Sequence, residues 1–147
     1  MQRRFCLVLS GCFFLLAAVH AFAHHGSSSY DHAKKITLKG VVTKINWINP
    51  HAFVYLDVTG DNGRVENWAI EGLSPNALKR LGWNEETLKP GIEIVVAGHP
   101  PRNTDRLTSQ LSYDADAVAR LKTARVVQAG EITLASGAKK VFGMGTY

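Results

Sequence analysis

The stretch Ile36-Thr-Leu-Lys-Gly-Val-Val-Thr-Lys-Ile-Asn-Trp47 decides the fold. It is rich in β-branched residues, which suit a pleated, half-buried strand. Apolar positions alternate at Ile36 and Leu38, then shift phase beyond Gly40 to Val41, Ile45 and Trp47. A phase shift at a glycine inside a strand predicts a bulge or bend. A first strand that bends can serve both halves of a small closed barrel.

Downstream, Asn49-Pro50-His51 punctuates the chain, because proline lacks a donor and biases Asn49 towards an extended or turn shape. Ala52 to Val58 alternates, with Val54, Leu56 and Val58 on one face and Phe53, Tyr55 and Asp57 on the other. Gly60-Asp-Asn-Gly63 is a hairpin signal, and Arg64 to Glu71 makes the returning strand with Trp68 and Ile70 on one side. Ser74-Pro75 reads as the N-cap and first residue of a helix that Gly82 stops, with Leu78 and Leu81 on a shared face. Lys89-Pro-Gly91 turns into a strand over Ile92 to Ala97. Mixed signals from Leu107 to Leu121 include a short helix carried by Ala115, Val118, Ala119 and Leu121. Closing strands are expected at Ala124 to Gln128 and Glu131 to Leu134, and a Ser136-Gly137 turn leads to Val141-Phe142.

Three strands, a short helix and further strands make a mainly β chain in the order of the five-stranded barrel called the OB-fold. Gly40 is placed for the bend in the first strand, and the helix between strands 3 and 4 plugs one end by burying Leu78 and Leu81. A β-sandwich is the alternative, and the single helix at this position favours the barrel. Residues 36–147 are expected to form one domain behind a polar tether over 24–35.

The N-terminus supplies an address. Arg3 and Arg4 precede an apolar run from Phe5 to Val19, and Ala21-Phe-Ala23 is an Ala-x-Ala site, which together predict a secretory signal peptide over residues 1–23. The run is short of the roughly 20 residues of a membrane-spanning helix. A competing reading makes Leu9-Ser-Gly-Cys12 a lipoprotein box, but Phe5 to Ser10 falls below the roughly 7 to 15 residues of an apolar region. Cys6 and Cys12 both lie in the excluded segment, so the exported chain is expected to have no disulfide, thiol nucleophile or thiolate metal site. Removing Arg3 and Arg4 lowers the formal net charge from +5 to +3. That mild excess fits an anionic envelope and is no nucleic-acid footprint.

Cleavage after Ala23 makes His24 the first residue, with its free amine beside its own imidazole. The two nitrogens can chelate one metal ion, and a further imidazole completes a T-shaped nitrogen set that suits Cu(II). His25, His32, His51 and His99 are the candidates for that third ligand, and His51 and His99 lie beside prolines at strand ends. Two histidines on a polar tail also arise as solvated titratable groups, and a histidine at a turn as a backbone partner. Cleavage after Ala21 would instead put His24 third, a position that suits square-planar Cu(II) or Ni(II).

Trp47, Phe53, Tyr55 and Trp68 are expected as a stacking face on the strands that OB-folds use for ligands, or equally as barrel packing. Catalysis finds little support: there is no nucleophile elbow or phosphate loop, and the spacing of Asp114 and Asp116 alone makes no acid–base pair.

His24-His25, Tyr30-Asp31, Leu38-Lys-Gly-Val-Val42, Trp47-Ile-Asn-Pro-His51, Tyr55-Leu-Asp57, Asn67-Trp68, Glu71-Gly72, Leu81-Gly-Trp83 and Lys89-Pro-Gly91 together resemble a family of small secreted bacterial proteins catalogued as a domain of unknown function. The resemblance implies a periplasmic, OB-like domain and brings no catalytic residues. The chain departs from the pattern between Arg102 and Lys122, where it is longer. The expectation is a non-enzymatic exported protein binding copper, with zinc or nickel less favoured, through His24 with help from His25 and His51. The alternative is an envelope module that binds a glycan or protein through Trp47, Phe53, Tyr55 and Trp68. Neither reading involves nucleic acid or a membrane span.

Overall fold

The computed structural model describes residues 27–123 and 125–144. Residues 1–23, expected as a signal peptide, and His24 and His25 lie outside the described residues. Six strands, β1 (Ile36–Asn46), β2 (Phe53–Thr59), β3 (Val65–Glu71), β4 (Glu93–His99), β5 (Val126–Leu134) and β6 (Lys139–Val141), are joined with helices α1 (Pro75–Arg80), α2 (Thr104–Gln110) and α3 (Ala115–Leu121). The sheet order is β3-β2-β1-β4-β5-β6, and β3 also pairs with β5. That pairing is parallel, over Ala69–Glu71 against Val126–Gln128, and closes β1 to β5 into a barrel. With α1 between β3 and β4, the topology is that of the OB-fold.

β1 does serve both halves: Ile36 to Val41 pair with β4, and Val41 to Asn46 pair with β2. The bend lies three residues beyond the expected position. The inward series Leu38, Gly40, Val42 continues unbroken, and the register shifts between Val42 and Lys44, which makes Thr43 the extra residue. Val41 consequently faces outward, 40% exposed. Gly40 has a different task, since a Cβ there would lie 2.5 Å from the Asp57 carbonyl oxygen.

The barrel interior is filled by Leu38, Val42, Val54, Leu56, Ile70, Ile94, Val96, Val127 and Ile132. Full burial of side chains of this size contributes about 1.5–3 kcal/mol each. α1 starts as expected, with the Ala77 N–H donating to Ser74 Oγ at 3.4 Å. Its end corrects the expectation for Leu81, which is 46% exposed. Gly82 adopts φ +78°, and the N–H groups of Gly82 and Trp83 donate to the carbonyls of Lys79 and Leu78, both at 3.0 Å. This Schellman pattern brings the second residue past the cap against the helix's last turn, so Trp83 joins Leu78 in plugging the barrel. Trp83 stacks edge-on against Phe142 with ring centroids 5.3 Å apart, and its Nε1–H donates to the Val141 carbonyl at 2.7 Å.

The two closing strands expected around Gly130 are one continuous strand. Ala97 pairs with Glu131 and Gly98 with Ala129, so Gly130 is a bulge within β5 and not a break.

The connection from β4 to β5 builds a second apolar layer. Leu107, Leu111, Ala117 and Leu121 from α2, α3 and their junction cover Phe53, Tyr55, Ala69 and Val126 on the outer face of the barrel. α3 matches the helix expected over 115–121, while α2 had no periodic signal. The segment read as a tether is anchored at its end: Ser29 and Tyr30 are buried, Tyr30 bridges to Pro101, and the Arg102 N–H donates to the Ser29 carbonyl at 2.8 Å. No helix among the described residues is long and apolar enough to cross a membrane.

Candidate functional site

Alternation along β3 sends Trp68 and Ile70 into the barrel and Ala69 and Glu71 to its outer face. At that face Glu71 would normally meet water, but Tyr30 lies over it and leaves it 3% exposed. A carboxylate so placed needs strong donors. Tyr30 donates its hydroxyl to one Glu71 oxygen, and the other oxygen pairs with Nδ1 of His51.

His51 follows the cis Asn49–Pro50 peptide bond. It precedes Ala52, whose N–H donates to the Leu73 carbonyl at 3.0 Å and whose carbonyl accepts from Gly72 at 2.8 Å. The ring is therefore held from the backbone side and from the carboxylate, and its side chain is still 29% exposed. With Nδ1–H donated to Glu71, the lone pair of the neutral ring resides on Nε2. A carboxylate behind one imidazole nitrogen fixes the tautomer and the direction of the ring, the arrangement that orients metal-ligating histidines.

The polar cluster extends across the barrel. Glu71 is in register with Gln128 on β5, and Gln128 with His99 on β4. All three are buried. His99 Nδ1 bonds the Lys34 carbonyl at 2.7 Å, and its ring centroid is 4.9 Å from that of His32. Gln128 Oε1 and the Tyr113 hydroxyl are buried with no hydrogen-bond partner among the described residues. Burial, then the Glu71 charge, holds the phenols of Tyr30 and Tyr113 well above the ordinary tyrosine range. Both are neutral donors at any physiological pH.

Sequence reasoning singled out His51 and missed Glu71, Tyr30 and Gln128, the groups that place it. Strand parity identified the face of Glu71, but its burial comes from a residue 41 positions away.

The four aromatics do not share a face. Phe53 and Tyr55 are 0% and 1% exposed beneath the β4–β5 insert, whereas Trp47 and Trp68 pack against the barrel core. The insert helices cover Phe53 and Tyr55, while Trp47 and Trp68 stay partly exposed. Among the described residues, no group of three or more His, Cys, Asp or Glu side chains is arranged to hold a metal ion.

A family model described as "Family of unknown function (DUF6152)" matches residues 13–110. The chain belongs to this family. β1 to β4, α1 and α2 fall within the DUF6152 match, and α3, β5 and β6 lie beyond it. His51, Glu71, Tyr30 and His99 are therefore all in the DUF6152 portion. No curated protein matches the sequence. Among solved structures, the mitochondrial single-stranded DNA binding protein Rim1 from S. cerevisiae is similar, at 9% identity and a TM-score of 0.44, over 71% of this chain and 97% of that one. The fold assignment rests on the strand order and barrel closure described above.

Proposed function

We propose that this is an exported periplasmic protein that binds Cu(II), with zinc or nickel less favoured, through the amine and imidazole of His24 and the imidazole of His51, and that it is a binding protein and not a catalyst. The observation that carries the reading is the buried Glu71 carboxylate behind His51, braced by the Tyr30 hydroxyl. A histidine used only as a turn residue needs no such support, whereas a ligand histidine gains a fixed tautomer and orientation from it. Chain length agrees. The Ser29 anchor is one residue from Tyr30, which touches the same carboxylate as His51; Ser27–Ser29 form a 3-10 turn, rising about 2 Å per residue, and the three residues ahead of it, His24 to Gly26, can add up to roughly 11 Å. In this reading His24 meets His51 along that tail, with His25 as an additional donor beside it.

The test is calorimetric titration of Cu(II) into protein whose N-terminus has been verified by mass spectrometry to be His24, with electron paramagnetic resonance of the one-to-one complex. One stoichiometric site with three nitrogen donors is expected. Adding one residue ahead of His24 removes the amine–imidazole chelate and is expected to abolish that signature, and His51→Ala to weaken binding about 10- to 100-fold. Equal affinity with and without the added residue would overturn the reading.

A further inference from the structure

We infer that the cleft beside α1 is a binding site for a neutral saccharide, a pyranose unit seated on Trp47 with its hydroxyls held by Lys79, Asn84 and Glu85. The inference does not rest on the copper reading and uses none of its ligands.

The cleft has a volume of about 660 Å³, within the roughly 300–1,000 Å³ of small-ligand sites. Trp47 and Pro75 give it an apolar lining. Trp47 packs against the barrel core and stays partly exposed, and its Nε1–H has no hydrogen-bond partner among the described residues. The negative π face of an indole accepts either the C–H face of a sugar ring or a cation. The polar rim decides between them.

That rim is held in place. Asn84 Oδ1 accepts from the Thr87 N–H and from Thr87 Oγ1, both at 2.7 Å. A backbone N–H only donates, so the atom facing it is the oxygen, and the Nδ2 amide is left as a donor. The turn that Asn84 caps runs between Trp83 and Leu88, each 1% exposed, so two buried side chains anchor the rim from both ends. A rim ordered before the ligand arrives spares the cost of ordering it on binding.

The charges exclude a simple ion. Lys79 Nζ is a second donor at the cleft and Glu85 an acceptor, and neither has a hydrogen-bond or ion-pair partner among the described residues. Glu86 is paired with Lys89 at 3.1 Å. The two lysines therefore balance the two glutamates. An inorganic anion would meet Glu85 and Glu86, and a cation on Trp47 would meet Lys79. A sugar hydroxyl both donates and accepts. A neutral polyol can satisfy both kinds of group while its C–H face covers Trp47 and Pro75.

The experiment is a nuclear magnetic resonance titration of the exported chain, kept metal-free with a chelator. The probes are cellobiose and the β-1,4 disaccharide of N-acetylglucosamine, which present a pyranose C–H face. Glycine, acetate and tetramethylammonium are the zwitterionic, anionic and cationic controls. Saturable shifts of the Trp47 indole N–H and the Asn84 side-chain amide are expected with at least one disaccharide and with none of the controls. Trp47→Ala should abolish the shift at Asn84. Because Trp47 also packs against the core, Glu85→Ala, at an exposed position, is the second variant. It should bind about three- to tenfold more weakly with circular dichroism and melting unchanged. No saturable shift with either disaccharide, equal affinity in the Glu85→Ala protein, or saturation of the same signals by a control would overturn the inference.

Discussion

Tyr55→Phe tests how the β4–β5 insert is fastened to the barrel. The Tyr55 hydroxyl donates to Asp114 Oδ1 at 2.8 Å, and Asp114 is 4% exposed at the N-cap of α3. Phenylalanine fills the same space, so no cavity opens, and the Arg120 guanidinium 5.2 Å from the ring keeps its partner. The loss is one hydrogen bond to an ionised acceptor, about 1.5–3 kcal/mol. Asp114 retains Asn46 Nδ2 at 2.8 Å and the N–H groups of Asp116 and Ala117 at 3.0 and 3.1 Å. It is not orphaned, and the low end, about 1.5–2 kcal/mol, applies. Burial first, then the bond to Asp114, raises the Tyr55 phenol far above its ordinary value of 10.0. The folded state therefore keeps a proton that the unfolded state releases. The stability this contributes is complete below about pH 10 and is lost above it at about 1.4 kcal/mol per pH unit. Urea unfolding at intervals from pH 8 to 11.5 should show wild type ahead by about 1.5–2 kcal/mol at pH 8 and a gap closed by about pH 11.5. A gap below about 0.5 kcal/mol at pH 8, or one that does not shrink with pH, would refute the reasoning.

The two leucines of α1 should behave oppositely in urea unfolding. Leu78→Ala, at a fully buried site, should cost about 2–5 kcal/mol, and Leu81→Gln, at an exposed one, should stay within about 0.5 kcal/mol. Gly98→Ala would set a Cβ 2.4 Å from the Gln128 carbonyl oxygen, and since that atom is backbone the melt should report a loss of about 2–4 kcal/mol. Trp83→Phe gives up the bond to the Val141 carbonyl. A drop of about 1–3 kcal/mol is expected, read by urea unfolding followed through circular dichroism.

Much of the barrel was legible because its cues are local. The Gly60–Gly63 turn, the Ser74-Pro75 start of α1 and the alternation of β2 each depend on a few adjacent residues. Where sequence and structure differ, a contact distant in sequence decides. Glycine often marks a bend, yet Gly40 answers to the approach of Asp57 from β2, and the extra residue is Thr43. Gly130 looked like a gap between strands and is a bulge whose carbonyl accepts from Phe142 at 2.9 Å. Leu81 satisfied helical spacing, but the turn at Gly82 delivered Trp83 to the core instead. At the candidate site His51 was visible from its position after Asn49-Pro50. Its carboxylate partner was not, because periodicity assigns Glu71 to a face and says nothing about what covers that face.

Barrel closure has a mechanical corollary. The seam between β3 and β5 is held by only the three register pairs from Ala69 to Glu71, with the Ala69 N–H bonding the Arg125 carbonyl at 2.9 Å and Arg125 gripping Glu66 at 3.0 Å. α3 straddles that joint, Arg120 reaching Asn67 of β3 at 2.6 Å while Leu121 packs with Val126 of β5. The helix acts as a clasp: loosening it should let the staves part there first. Amide protons of Ala69 and Val127 should then exchange with deuterium in step with those of α3, well ahead of the β1–β2 hairpin, as a separate sub-global opening unit.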